Sequence, residues 1–251
     1  MRATITWLGH ASVLVELDGA RLLTDPVLRR RIVHLTRRSA DPIHPGELDA
    51  VLVSHLHHDH LDRPSLRRLA TPRTTAVLPQ GAAKLLDGMG YGAIEEVRTG
   101  DTLSFGAAEV RVVPAWHDGR RRPGPRPLEL ETLGFLIGDI WFAGDTDLND
   151  SMRALHGQVD VALIPIWGWG PSLGPGHLDP EGAARAVALV GPRVAIPIHW
   201  GTFLPIGLRR PDLLREPPLA FARYVAELAP GTRVVTLTPG ESLTVGGGSS
   251  A

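Results

Sequence analysis

The sequence predicts an α+β chain in which two β-sheets pack face to face with helices outside. Three observations carry this. Residues 3–25 alternate apolar and polar positions around an Asp18-Gly19 pair, the strongest short hairpin signal. The first third of the chain is rich in short strand-like runs, and the last third alternates such runs with helical patterns. Hydrophobic residues make up 43% of 251 residues, ample for a buried core, and the length fits one large domain or two small ones. We read residues 1–245 as one domain.

After the opening hairpin, Ala50-Val51-Leu52-Val53 reads as a short buried strand. Residues 64–70 and 80–89 read as helices, and Pro64 suits a first helical turn. Short strands fall near 75–78, 94–97, 102–105 and 109–115, and 133–144 reads as a hairpin around Gly138-Asp139. A helix near 149–156 precedes a strand over 159–166. Asp179 and Pro180 open a helix running to about Val190, with Asp as cap and Pro at the first position. A strand at 193–198, a helix at 218–229 and a strand at 233–238 follow. The tail Gly246-Gly247-Gly248-Ser249-Ser250-Ala251 has nothing to bury, so disorder is expected over 246–251. No internal repeat is visible.

The stretch Ser54-His55-Leu56-His57-His58-Asp59-His60-Leu61-Asp62 directly follows the buried strand. If the strand geometry continues, His55 and His57 point to the same side, because side chains alternate with a period of two. Asp59 and His60 then lie where the chain turns and reach a second point. One loop thereby offers two ligands to each of two metals, which about 3.5–4 Å apart can share one hydroxide. Three further strand-like runs end in His117, in Asp145 of Gly144-Asp145-Thr146, and in His199. Strand ends on one rim of a sheet can converge without burying an unpaired charge in the core.

With these residues in place, the chain resembles the metallo-β-lactamase superfamily of binuclear hydrolases, from Trp7 to about Val245. The resemblance implies a four-layer αββα sandwich with the metals at one sheet edge. By position it assigns His55, His57 and His117 to the first metal, Asp59, His60 and His199 to the second, and Asp145 as the bridge. The words Trp7-Leu8-Gly9-His10-Ala11-Ser12, Leu23-Thr24-Asp25-Pro26, Phe142-Ala143-Gly144-Asp145-Thr146, His177-Leu178-Asp179-Pro180-Glu181 and His199-Trp200-Gly201-Thr202-Phe203 are similar to the branch holding N-acylphosphatidylethanolamine-hydrolysing phospholipase D and ascorbate-6-phosphate lactonase. The commonest zinc β-lactamases place a Cys on the second metal, and this chain has none.

The activity so implied is ester hydrolysis by a metal-bridging hydroxide, on a phosphodiester first and on a lactone or similar cyclic ester second. A non-catalytic metal-binding sensor or scaffold is the reading from another class. The cofactors expected are two divalent ions, with zinc first and manganese or iron as alternatives. Asp145 bridges, and Asp59 ligates and helps orient the hydroxide. His177, in a Gly-Pro-rich loop, is either the acid for the leaving group or a loop histidine bonding backbone. His10 is read as a substrate contact. Asp25 either fixes the ring of a ligating histidine from behind or is a plain turn Asp before Pro. Trp116, Trp167, Trp169 and Trp200 adjoin or bracket strand ends, so they either wall an apolar pocket or pack the core; Trp169 and Trp200 are the substrate candidates. The loop from Asp118 to Arg126 carries four Arg and either binds phosphate, with Arg122 as candidate contact, or is solvated. His58 reads as a residue behind the ligands or at the surface, and His34, His44 and His156 as surface residues.

Composition narrows the partners. Formal net charge is −1, which gives no pull toward nucleic acid or an anionic membrane. Lys84 is the only lysine among 26 basic residues, a bias matching the many Ala, Gly and Pro. No apolar run approaches the ~20 residues of a membrane span, and the chain opens in a strand without a secretory leader. The expectation is a cytoplasmic enzyme of a small-molecule ester or phosphodiester, its oligomeric state unassigned.

Overall fold

A computed structural model of the chain describes residues 2–121, 128–171 and 173–246. The strands are β1 (Arg2–Gly9), β2 (Ser12–Leu17), β3 (Ala20–Thr24), β4 (Arg31–Ile32), β5 (Leu35–Arg37), β6 (Ala50–Leu52), β7 (Thr75–Pro79), β8 (Ala93–Val97), β9 (Thr102–Phe105), β10 (Ala108–Pro114), β11 (Leu133–Ile137), β12 (Ile140–Phe142), β13 (Val161–Pro165), β14 (Val194–Ile198), β15 (Phe203–Pro205), β16 (Arg233–Val234) and β17 (Ser242–Gly246). The α-helices are α1 (Arg63–Leu69), α2 (Pro180–Val190) and α3 (Glu216–Leu228). One sheet runs β17-β1-β2-β3-β6-β7-β8, the second β16-β14-β13-β12-β11-β10-β9, and a small third sheet β15-β5-β4.

Period-two alternation builds two cores from the first sheet. Ile5, Trp7, Val13, Val15, Leu22, Ala50, Leu52 and Val77 face inward and pack with residues of the second sheet. Their neighbours Leu14, Leu23, Val51, Val53, Ala76 and Leu78 face outward and pack with Leu66 and Leu69 of α1. On the far side, Ala183, Val187 and Val190 of α2 and Phe221 and Val225 of α3 are buried against the second sheet. The order of layers is helix, sheet, sheet, helix.

Local chemistry matches the expected element ends. Asp18 and Gly19 both take positive φ, 49° and 87°, and join Leu17 to its partner Ala20, as a two-residue hairpin loop requires. Asp62 accepts from Ser65 N at the start of α1. Asp179 accepts from Gly182 N at 2.7 Å, and Gly191 closes α2 in the left-handed region.

Several elements differ from expectation. The expected helix at 80–89 is a single 3₁₀ turn, Ala83–Leu86, because Gly81 and Gly88 take φ of 96° and 69°, which an α-helix cannot include. The helix at 149–156 is likewise 3₁₀, Asp150–Leu155. The strand at 233–238 stops at Val234, and β17 then pairs beside β1 with Arg2 opposite Gly246. Gly246 thus lies in a strand; the rest of the expected disordered tail, 247–251, lies outside the described residues. Among the described residues no helix is long and apolar enough to cross a membrane.

Candidate metal centre

The loop after β6 is fixed at both ends before it presents any ligand. His60 N and Leu61 N donate to His57 O at 3.1 and 2.8 Å, closing a tight turn, and the buried Leu56 and Leu61 side chains anchor it in the outer core. Asp62 caps α1 and takes two bonds from Arg29, at 2.9 and 2.6 Å. Arg121 donates to Leu56 O at 2.5 Å and Leu61 O at 3.0 Å.

Ends of strands in the second sheet supply the other donors. His117 follows β10, Asp145 follows β12 and His199 follows β14. Gly144 makes the corner before Asp145: its φ is +63°, and a Cβ there would meet Leu133 O at 2.5 Å.

Two donor sets result. His55, His57 and His117 present ligand atoms within 4.8 Å of one another, and so do Asp59, His60, His199 and His10. Asp145 lies between them: its Oδ2 is 3.2 Å from His60 Nε2 and 3.9 Å from His117 Nε2, and its Oδ1 is 3.3 Å from His199 Nε2.

Partner chemistry assigns the protons. His117 Nδ1 meets Gly176 O and His199 Nδ1 meets Trp167 O, both at 2.7 Å. A carbonyl only accepts, so each Nδ1 carries hydrogen and each Nε2 turns a lone pair inward. Ser54 Oγ donates to Asp25 Oδ2 at 2.6 Å and receives His55 Nδ1 at 2.9 Å. His60 Nδ1 donates to the same Asp25 oxygen at 2.7 Å. All four rings therefore aim Nε2 at the centre. His55 Nε2 and Asp145 Oδ1 are buried without a hydrogen-bond partner. Lone pairs and ionised carboxylates converging on shared points are what divalent cations satisfy, so the donor set fits two.

The charge states agree. Burial pushes the His55, His117 and His199 imidazoles down, His117 to about 4 and His199 to about 3. Burial also works against the carboxylate charges, but the surrounding histidines outweigh it and hold Asp59 and Asp145 well below the usual range. His60 is the exception. Burial would lower it, yet Asp145 and Asp25 together hold it well above its ordinary value. A proton on His60 Nε2 faces His199 Nε2 at 3.1 Å and occupies the direction a cation would take. Cation binding to the second set must displace that proton. Calorimetric titration in buffers of different ionisation enthalpy is expected to show about one proton released per protein near neutral pH, with affinity falling about tenfold per unit as pH is lowered. A buffer-independent heat would remove His60 from the ligands.

The remaining predicted residues separate clearly. A cavity of about 270 Å³ opens over the donor sets, lined among others by Asp59, Asp145, Trp169 and His177. His177 Nε2 is 3.6 Å from Asp145 Oδ2, with Nδ1 bonded to Gly174 O at 3.2 Å. Trp169 donates Nε1 to Asp59 Oδ2 at 3.1 Å. Asp25 sits behind two histidines, as the first of its two sequence readings has it. His10 and Trp200 are not brought to the cavity: His10 is fully buried against Asp59, and Trp200 stacks on Trp7 in the core at 5.2 Å. Trp116 is 61% exposed on the outer side of His117. Arg120 is committed to Asp118. Arg121 also reaches His58 Nδ1 at 3.2 Å. Arg122 and Arg126 lie outside the described residues.

Sequence reasoning missed the β4–β5 hairpin. Ile32, Val33, His34 and Leu35 line the same cavity, and His34 packs edge-on against Trp169 with centroids 5.0 Å apart. Two- and three-residue strands leave no periodic signal, so nothing marked this wall.

The model of the beta-lactamase superfamily domain matches residues 20–200. A UPF0173 metal-dependent hydrolase of Methanopyrus kandleri is 37% identical, over 95% of this chain and 98% of its own. An N-acyl-phosphatidylethanolamine-hydrolyzing phospholipase D of Caenorhabditis elegans is 30% identical, over 94% of this chain and 74% of its own. Among solved structures, Igni18, a metallo hydrolase of Ignicoccus hospitalis, superposes with a TM-score of 0.74 at 23% identity, over 98% of this chain and 99% of its own. The chain belongs to the metallo-β-lactamase superfamily. Its fold is that of the superfamily, and its donor clusters are those of a metal-dependent hydrolase able to hold a binuclear centre.

Proposed function

We propose that this protein hydrolyses compact esters with two divalent cations, zinc first, phosphodiesters being the leading substrate class. The observation that carries the reading is the pair of donor sets sharing Asp145 at the floor of an open cavity. Two cations there, when bound, lower the pKa of a shared water and draw charge from the ester oxygen. The branch similarity, and a phospholipase D among the relatives, support a phosphodiester.

The chain's own residues do the rest. Ile32, Val33, Leu35 and the face of Trp169 form an apolar wall for the substituent of a small ester. His177 Nδ1 donates to Gly174 O and Nε2 faces the cavity, so the ring carrying both protons is placed to hand the one on Nε2 to the leaving oxygen. A lactone or other carboxylic ester is the second reading. It is favoured because Arg120 is bonded to Asp118 and Arg121 to loop carbonyls, so neither is set aside for phosphate.

The test compares bis(p-nitrophenyl) phosphate with p-nitrophenyl acetate and a γ-lactone, before chelation, after it, and after add-back of zinc, manganese or iron. Phosphodiester turnover lost on chelation and restored by one metal supports the leading reading; turnover of the carboxylic esters alone supports the second. No turnover by protein carrying both cations would leave the metal-binding sensor. His177→Gln is expected to lower kcat about 10²-fold or more for an alkyl leaving group, as general acids do, and much less for p-nitrophenolate, which needs no proton. Equal losses on both would remove the acid role.

A further inference from the structure

We infer that His10 is a positioning residue dedicated to the second donor set, its imidazole deciding whether Asp59, His60 and His199 hold a cation. The inference rests on the ligand reading above and goes beyond it, because it gives the two sites different supports.

His10 touches all three members of that set. Its Nε2 is 3.0 Å from Asp59 Oδ2; the carboxylate accepts, so Nε2 carries the hydrogen. Trp169 Nε1 donates to the same oxygen at 3.1 Å. Two donors on Oδ2, the oxygen 4.0 Å from His60 Nε2 and 3.9 Å from His199 Nε2, fix the carboxylate plane. The His10 ring packs on the His199 ring with centroids 3.9 Å apart and lies 5.5 Å from the His60 ring. Its backbone holds His199 as well: His199 N donates to His10 O at 2.9 Å.

The surroundings hold His10 in an uncommon conformation. Its φ is 56°, in the left-handed region that few non-glycine residues occupy, His more often than most. Trp7 Nε1 donates to His10 O at 2.9 Å, and His10 N donates to Thr202 Oγ1 at 2.7 Å. Gly9 makes the turn possible: a Cβ there would meet Arg37 Nη1 at 2.7 Å. Buried Arg37 donates to Leu8 O and Val27 O below the corner. Strain held by so many contacts points to a purpose. His10 is fully buried, so it does not meet substrate. Its ring contacts are with His60, His199 and Phe203 and with none of His55, His57 and His117, which contact one another and meet the second set where the His55 and His60 rings lie 4.0 Å apart.

The test strips wild type, His10→Ala, His10→Gln and His10→Leu with chelator, reloads them with zinc, and measures stoichiometry by atomic emission and both affinities by competition with a chromophoric chelator. Wild type is expected to take two equivalents. In His10→Ala the first should bind within about threefold of wild type and the second 10–100-fold more weakly, the range for residues that orient a ligand. His10→Gln, whose amide can donate to Asp59, should recover part of the loss; His10→Leu, which fills space without a donor, should not. If the Ala variant fails to fold, the Gln–Leu comparison decides. Two equivalents at wild-type affinity in His10→Leu would overturn the inference, and so would equal weakening of both sites or no difference between Gln and Leu. Wild type binding fewer than two equivalents would instead overturn the ligand reading, and this inference with it.

Discussion

Replacing Asp145 with Asn is expected to remove about three decades of turnover and one or both cations. The substitution keeps the shape of a side chain only 3% exposed and removes its charge. That charge lies within 3.2–3.9 Å of the inward nitrogens of His60, His199 and His117, so it acts on both donor sets at once. One unit charge about 4 Å away at an effective dielectric near 20 is worth about 4 kcal/mol, or roughly a thousandfold. An amide also turns an N–H toward lone pairs that a cation would occupy. Metal content after gel filtration and kcat on the best ester of the panel check this together. Two tightly held equivalents with wild-type turnover would show that Asp145 neither bridges nor charges the site.

Asp25→Asn is the second large effect, and it works through proton positions. The Asp25 carboxylate accepts from Ser54 N at 2.7 Å, Ser54 Oγ at 2.6 Å and His60 Nδ1 at 2.7 Å. Ser54 in turn receives His55, so one buried carboxylate sets the ring of a histidine in each donor set. An amide must turn its NH2 either to Ser54 N or to the pair Ser54 Oγ and His60 Nδ1, and bonding is lost either way. Both affinities should fall 10–100-fold, and stability by about 1–3 kcal/mol for a buried donor left unmade. Asn isolates the side chain from the backbone, because Asp25 has φ 34° and Asn tolerates that region as Asp does. A chelator competition giving both affinities within twofold of wild type in a folded variant would refute the role. The contrast with His10 is direct: Asp25 serves both sets, His10 one.

The sequence exposed the donors well because each candidate ligand follows a short apolar strand. His55 lies just past β6, His117 past β10, Asp145 past β12 and His199 past β14, and strand ends stay recognisable even when pairing partners are unknown. The alternation that separates the two cores was equally legible from β1 to β3. What failed was set by contacts far apart in the chain. Helical composition at 80–89 lost to two glycines at positive φ, Gly81 and Gly88. The cavity wall from β4 and β5 depends on β15, some 170 residues later, for its pairing. His10 read as a substrate contact because motif position says which residues gather and not which face the opening. Only the burial of its ring separates the two roles.

The donors do not come from one side of the fold. His55, His57, Asp59 and His60 belong to the first sheet's edge, and His117, Asp145 and His199 to the second's. A bound cation is therefore a further cross-link between two layers that hydrogen bonds already join at this rim, Leu133 N to Ser54 O and His199 N to His10 O, both at 2.9 Å. By mass action such a ligand stabilises the docked sheets by about 2.7 kcal/mol at a hundredfold excess over its Kd. Metal supply and fold integrity would then be linked. Starved of cations, the protein should loosen first at this rim, losing the site before the core between the sheets.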